Sequence, residues 1–291
     1  MERAAPHPVP AGPLAVRWLG HDVLPQRAGS LGLAVLVLEN AGSATWRSLR
    51  EEGIQITYHW LDPRGNPIVW DGLRTALPAP VSPGARLEAR VPLRAPARPG
   101  HYRLSFDLVD EGRIWFADVG NAPLELAVTV EPRIAARTLA VTLTAGEPEL
   151  ERETRAALAQ QEEPLVPAEG AAAVAHLAPG CLPPPDWSRR LLDAHAEGFA
   201  AVGGSIETLG SWRDRREADA TLQPWAPGSG RRPNFPHPLL CPSLTADYVP
   251  RWAPSVLGLP ALEQPPRLTE PWLYDGRIGL RLRLRSDRRR G

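Results

Sequence analysis

The chain has 291 residues, a length that suits roughly two domains, with 43 % hydrophobic and 23 % charged residues. Its 33 basic residues, all arginine, balance 33 acidic ones, so the basic excess of a nucleic-acid binder is missing. The lack of lysine excludes a Schiff base, a pyridoxal phosphate anchor and a P-loop lysine, and no cofactor is expected.

Two cysteines, Cys181 and Cys241, make neither a disulfide framework nor a zinc ribbon, and the seven histidines form no close pair. The N-terminal stretch to Pro13 is proline-rich, carries Glu2 and Arg3, and has no apolar run of the signal-peptide kind. Residues Leu31 to Leu38 are apolar but too few to span a bilayer, so the expected location is cytoplasmic.

From Leu14 to Val130 short alternating runs are separated by turn residues. Leu31, Leu33, Val35 and Val37 share one face of a strand that ends at Asn40-Ala41-Gly42-Ser43. Ile54, Ile56, Tyr58 and Trp60 repeat the period of two, and the turn Asp62 to Pro67 leads into Ile68–Trp70. Leu87, Ala89, Val91 and Leu93 alternate after Ser82-Pro83-Gly84, and Tyr102, Leu104, Phe106 and Leu108 do so after Pro99-Gly100. Arg113–Phe116 pairs back across Asp110-Glu111-Gly112, and Leu124, Leu126, Val128 and Val130 close the set. About eight such strands predict an all-β, immunoglobulin-like sandwich over residues 14–131.

The series Asn40 to Trp46, Tyr58 to Asp62, Asp71 to Thr75, Pro99 to Leu104 and Asp107 to Gly112 resembles immunoglobulin-like modules attached to bacterial enzymes of surface-glycan synthesis. Trp46, Trp60, Trp70 and Trp115 invite sugar stacking, but tryptophans on sandwich strands bury large areas and are expected in the core. His59, Asp71 and His101 are expected to be exposed or to satisfy turns.

The second half alternates strand and helix. Leu139–Leu143 reads as a strand and 147–161 as a helix whose stripe is Leu150, Thr154, Ala157, Leu158 and Gln161. Leu165-Val166 and Ala172–Leu177 read as strands. Trp187–Glu197 reads as a helix opened by Asp186 with Leu191, Leu192 and His195 on one side, and Phe199–Val202 as a strand. This order predicts a small α/β domain with parallel pairing over residues 137–285, with a long irregular segment at 223–271.

Ala140 to Leu143, Ala156 to Gln161, Leu165-Val166, the run Ala175 to Trp187, Leu191 to His195 and Ala200 to Ile206 resemble a family 2 glycosyltransferase of the GT-A type. That resemblance covers about residues 138 to 210. It implies an Asp-x-Asp metal motif after Leu177, where carboxylates hold the cation that bridges a nucleotide-sugar diphosphate. Ala178, Pro179 and Gly180 stand there instead, a degenerate motif without side-chain oxygen, and no metal is expected.

Asp275 is the remaining candidate catalytic acid, although Asp-Gly also suits an ordinary turn. Glu217-Ala218-Asp219 has carboxylate spacing inside a charged run that reads as a solvated helix face. Gly203-Gly204-Ser205 fits neither a nucleophile elbow nor a phosphate loop. The C-terminal stretch alternates leucine with Arg281, Arg283 and Arg285, which reads as an edge strand or as a phosphate-binding face toward lipid head groups or a glycan carrier.

Taken together, the resemblances imply a degenerate GT-A glycosyltransferase-like protein of bacterial surface polysaccharide assembly, with metal-dependent transfer impaired or lost. The alternative is a non-catalytic glycan-binding or scaffolding protein that uses the sandwich. The partners expected are a nucleotide-sugar or glycan and other glycan-assembly enzymes, with at most peripheral contact at the inner membrane face and no nucleic acid.

Overall fold

The structure, a computed structural model, describes residues 1–49, 52–210, 230–233, 255–256 and 271–283. The chain divides into two units, Met1–Glu131 and Pro132–Gly291.

The principal strands of the first unit are β1 Val16–Val23, β2 Leu31–Asn40, β3 Glu52–Leu61, β4 Pro67–Val69, β5 Thr75–Ala76, β6 Arg86–Arg94, β7 Gly100–Asp110, β8 Ile114–Trp115 and β9 Leu124–Glu131. One sheet has the order β1-β2-β6, with Glu2–Arg3 paired on the outer edge of β1. The other is built on β9-β7-β3, with β4 and β5 paired to β3 and β8 to β7. These pairs are antiparallel; Gln26–Arg27 joins β9 in parallel. The two sheets close one core in which Ala34, Leu36 and Leu38 meet Ile56, Tyr58, Trp60, Leu104, Phe106 and Leu108.

Local chemistry accounts for the connections. The Asp62 carboxylate accepts the backbone N–H groups of Arg64 and Asn66 and the Asn66 side-chain amide, locking the turn between β3 and β4. Buried Asn40 ends β2 by donating to the carbonyls of Ala44 and Val81 and accepting the Gly42 N–H. Asn121 does the same service beside β1, binding the Val16 N–H and the carbonyls of Leu14 and Phe116.

Leu31, Leu33, Val35 and Val37 share one face of β2, but the face that enters the core carries Ala34, Leu36 and Leu38. The run is apolar on both faces, so alternation could not choose between them. In β1, Gly20 and a register irregularity between Trp18 and Gly20 break the alternation that marks the other strands in the sequence.

The second unit contains β10 Leu139–Leu143, α1 Pro148–Leu158, β11 Ala173–Leu177, β12 Cys181–Leu182, α2 Trp187–Ala196, β13 Ala201–Leu209, β14 Arg231–Pro233, β15 Ser255–Val256 and β16 Trp272–Arg283. The sheet order is β10-β11-β15-β13-β16-β12, with β14 paired to β16. Pairs β10/β11 and β13/β16 are parallel, as a strand–helix–strand crossover requires in the first case. However, β15 lies antiparallel between β11 and β13, and β12 is antiparallel to β16. The sheet is therefore mixed rather than parallel throughout. The expected strand at Leu165-Val166 amounts to a single bridge, Leu165 to Leu139.

The helices follow their predicted stripes. In α1, Thr154 is buried and its hydroxyl donates to the Leu150 carbonyl while accepting the Gly180 N–H. In α2, Leu191, Leu192 and His195 are buried. Asp186 holds the N-cap position, yet its carboxylate pairs with Arg190; Gln161 accepts the Ser188 N–H in its place. No helix among the described residues is long and apolar enough to cross a membrane.

Candidate functional site

The inward residues of β3 and β7 fill the core, which sends Gln55, Thr57, His59, Ser105 and Asp107 to the opposite face of the sheet. On an open sheet these polar groups would meet water. All five are buried. The chain from Asp62 to Leu77 folds back across this face, pairing with β3 through β4 and β5.

Gly72 makes that close approach feasible. Its N–H donates to the Tyr58 carbonyl at 3.0 Å, and a Cβ at this position would lie 2.4 Å from the same oxygen. The residues on either side then sit against the sheet. His59 Nδ1 is hydrogen-bonded to the Trp70 carbonyl oxygen, a contact that places the proton on Nδ1. Burial pushes the His59 pKa below its ordinary value, so the ring is neutral near pH 7.

An aromatic stack stands on this base. The Trp70 indole lies over His59 with ring centroids 4.2 Å apart and an interplanar angle of 22°. Trp115 packs against both, at 4.8 Å from His59 and 6.2 Å from Trp70. The Arg74 guanidinium lies 5.2 Å from the Trp115 ring centroid. Arg74 also donates through Nε to Glu111, through Nη1 to the Thr57 hydroxyl at 2.9 Å and the Gly72 carbonyl at 3.1 Å, and through Nη2 to Asp71 at 3.0 Å. Trp70 nevertheless keeps 55 % of its surface in water. The result is an exposed indole held in place from below, with Asp71 next in sequence and Glu111 joined to Asp71 through Arg74.

Asp107 lies in the polar layer of the same face. Burial pushes its carboxyl up to about 6, partly offset by the backbone N–H groups of Leu108 and Ala117 that it accepts.

The four tryptophans thus divide. Trp46 and Trp60 are fully buried: Trp46 packs T-shaped against Phe116, and Trp60 donates its indole N–H to the Arg94 carbonyl. Trp70 and Trp115 form the surface cluster. His59, expected to be exposed or to satisfy a turn, is buried beneath it, bonded to the Trp70 carbonyl of the folded-back loop. Asp71 is exposed, and His101 is exposed beside Thr129.

In the second unit, Ala178, Pro179 and Gly180 turn the chain from β11 to β12. Gly180 has φ +92°, its N–H points into α1, and a Cβ there would lie 2.3 Å from the Arg283 carbonyl oxygen. Asp275 is buried within β16 and holds Arg277 at 2.7 Å and Arg231 at 3.4 Å. Burial raises its pKa, but the hydrogen bonds and charges of Arg277, with Arg231 behind them, outweigh that and hold the carboxyl below its ordinary value. It is ionised at neutral pH. A cleft of about 270 Å³ opens beside it, lined by Arg189, Arg190, Asp193, Glu197, Arg231 and Arg277.

Arg281 is exposed on β16, and Arg283 pairs with Glu153 of α1. Arg285, Glu217-Ala218-Asp219, Cys241 and most of the 223–271 segment lie outside the described residues. Ser205 donates to the Gly276 carbonyl where β13 and β16 change register. No group of three His, Cys, Asp or Glu side chains is placed to hold a metal among the described residues.

No protein-family model and no curated protein matches the chain. Among solved structures, the chain is similar to the C-terminal domain of Wzt at 10 % identity and a TM-score of 0.31, covering 45 % of this chain and 81 % of that one. A CARDB domain from Pyrococcus furiosus, crystallised with di-metal ions, gives 11 % identity and a TM-score of 0.25 over 45 % and 92 %. A family 123 glycoside hydrolase from Clostridium perfringens gives 10 % and 0.23 over 63 % and 32 %. Scores this low leave the architecture to be read from its own strand pairing, which defines a β-rich protein with a two-sheet sandwich and a mixed-sheet unit.

Proposed function

We propose that this chain is a glycan-binding protein and that the Trp70–His59–Trp115 stack is where the sugar sits. One observation carries this reading: a tryptophan over half exposed is stacked on a neutral, buried histidine, and the Asp71 and Glu111 carboxylates are gathered on Arg74 of the same loop-and-sheet cluster. The C–H bonds on the apolar side of a pyranose carry partial positive charge and match the negative face of an indole. Its hydroxyls point outward, toward groups such as Asp71 and Glu111. Resemblance of the sandwich to immunoglobulin-like modules of surface-glycan enzymes agrees with this chemistry and supports polysaccharide assembly as its setting.

The test is titration of the intact protein against oligosaccharides of bacterial surface polysaccharides, read by tryptophan fluorescence and calorimetry. Binding that disappears in Trp70→Ala, with folding retained, supports the reading. Binding that is indifferent to both Trp70→Ala and Trp115→Ala rejects it.

A second reading concerns the unit after Pro132. The parallel pair β10/β11 with α1 in the connection favours a degenerate GT-A-like fold, and Ala178-Pro179-Gly180 cannot supply metal-binding carboxylates. A glycosyltransferase of this kind would have to stabilise the leaving diphosphate with guanidinium groups. Titration with nucleotide-sugars, with and without chelator, separates the outcomes. Transfer abolished by chelator would mean that a metal binds elsewhere, transfer surviving chelator supports a metal-free enzyme, and no binding leaves the unit a scaffold.

A further inference from the structure

We infer that the platform selects uncharged sugars and rejects acidic ones. This rests on the reading of the Trp70 stack as a glycan site, and it follows from which hydrogen-bonding groups at the rim are free and which are already used.

A uronic acid or a phosphorylated sugar is held best by a guanidinium with a free fork of parallel N–H groups. Arg74 is the guanidinium that lies on the stack. Its Nε is bound to Glu111, its Nη1 to Thr57 and Gly72, and its Nη2 to Asp71, while its Cζ lies 5.2 Å from the Trp115 ring centroid. Four donor directions are engaged. Arg74 therefore braces the loop and has no fork left to offer an incoming carboxylate.

The acceptors are in the opposite condition. Asp71 contacts Arg74 through Oδ1 and Glu111 through Oε1, which leaves Asp71 Oδ2 and Glu111 Oε2 without a protein partner among the described residues. The Asp71 side chain is 69 % exposed. Two carboxylates against one guanidinium give the rim a net charge of −1 (−2 from Asp71 and Glu111, +1 from Arg74). Neighbouring hydroxyls of a neutral pyranose can donate to these free oxygens while the ring lies on Trp70. An anionic sugar brings a third negative charge to Asp71 and Glu111 and finds no free pair of donors on Arg74.

The experiment uses the full chain and sugar probes of matched length. Neutral hexasaccharides of β-1,3-glucan, α-glucan and mannan are compared with oligogalacturonate and oligomannuronate by calorimetry at low and high salt. The expected result is binding of at least one neutral probe, insensitive to salt and lost in Trp70→Ala, with the acidic probes bound at least tenfold more weakly. Asp71→Asn and Glu111→Gln should narrow that gap by weakening the neutral sugar and admitting the acidic one. Acidic probes bound as tightly as neutral ones, through Trp70, would overturn the selectivity and leave the glycan site standing. Failure of every probe to bind would remove the glycan site itself and the inference with it.

Discussion

Trp60→Ala and Trp70→Ala delete the same atoms from the same sheet and should part company in stability and binding. Trp60 is wholly buried, is edge-on to Tyr102 at 6.0 Å and donates its indole N–H to Arg94. Its truncation leaves a large cavity in the core and an unsatisfied carbonyl, which costs about 3–5 kcal/mol. In a two-sheet unit of this size that is a fall in Tm on the order of ten degrees or more. Trp70 keeps 55 % of its surface in water, so truncation forfeits a little under half of the ~200 Å² an indole can bury. At ~25 cal/mol per Å² the loss is at most about 2 kcal/mol. Thermal and urea melts of both variants, paired with oligosaccharide titration, separate the two roles. The expected pattern is a large stability loss for Trp60→Ala and a small one with binding abolished for Trp70→Ala. Equal destabilisation by the two would refute the division into core and platform.

Gly72→Ala should cost ~1–3 kcal/mol, because its Cβ would press on the Tyr58 carbonyl; near-ultraviolet circular dichroism should report a displaced Trp70. Asp275→Asn removes the carboxylate shared by Arg277 and Arg231 and should destabilise the second unit by ~1–3 kcal/mol, discounted because Arg277 is exposed. The Asp275 pKa is held low in the fold. Its contribution is therefore present above the unfolded value near 4 and lost as pH falls through the lowered one, so urea melts at pH 7 and pH 3 should show the variant's deficit shrinking in acid. Asp107 has the opposite sign. Its folded pKa of about 6 lies above the unfolded value of 3.8, so proton binding favours the fold and stability drops as pH rises through 6, by about 1 kcal/mol between pH 5 and pH 7. Buried His59 works against this in the same range, since its lowered pKa makes protonation favour unfolding. The difference between wild type and Asp107→Asn cancels His59 and should isolate the Asp107 slope.

The strands after Asn40 were legible because turn residues punctuate them and one side of each is polar. Ile54, Ile56, Tyr58 and Trp60 alternate with Gln55, Thr57 and His59, and the structure keeps that parity. Where both sides are apolar, as in Leu31 to Leu38, the period holds but the choice of face is lost. The platform was hidden for a different reason. Trp70 and Trp115 read like Trp46 and Trp60 as residue types, and only the fold-back of residues 62–77 over the outer face puts them beside each other and His59 beneath them. The one local signal was Gly72, a residue without a Cβ directly after Trp70-Asp71. In the second half, Asp275-Gly276 suggested a turn, yet it lies inside β16, where the change of register opposite Gly204 absorbs the irregularity.

The arrangement on the outer face is more than an exposed tryptophan. A free surface indole samples several rotamers and must be ordered when a ligand arrives, which weakens binding. Here His59 supports Trp70 from below, Trp115 closes one side, and Arg74 fastens the intervening loop through Thr57, Glu111, Asp71 and the Gly72 carbonyl. These bonds engage four of the donor directions of Arg74, and the same bonds fasten the loop that carries Trp70. On the proposed reading, rigidity and selectivity would have a common origin in Arg74. Arg74→Lys should expose the link: lysine keeps the charge but cannot span four acceptors with one ammonium. The variant should lose affinity for neutral sugars through a looser platform and gain some for acidic ones through a freer cation. A lysine variant with unchanged affinity for neutral sugars would show that Arg74 is not needed to hold Trp70.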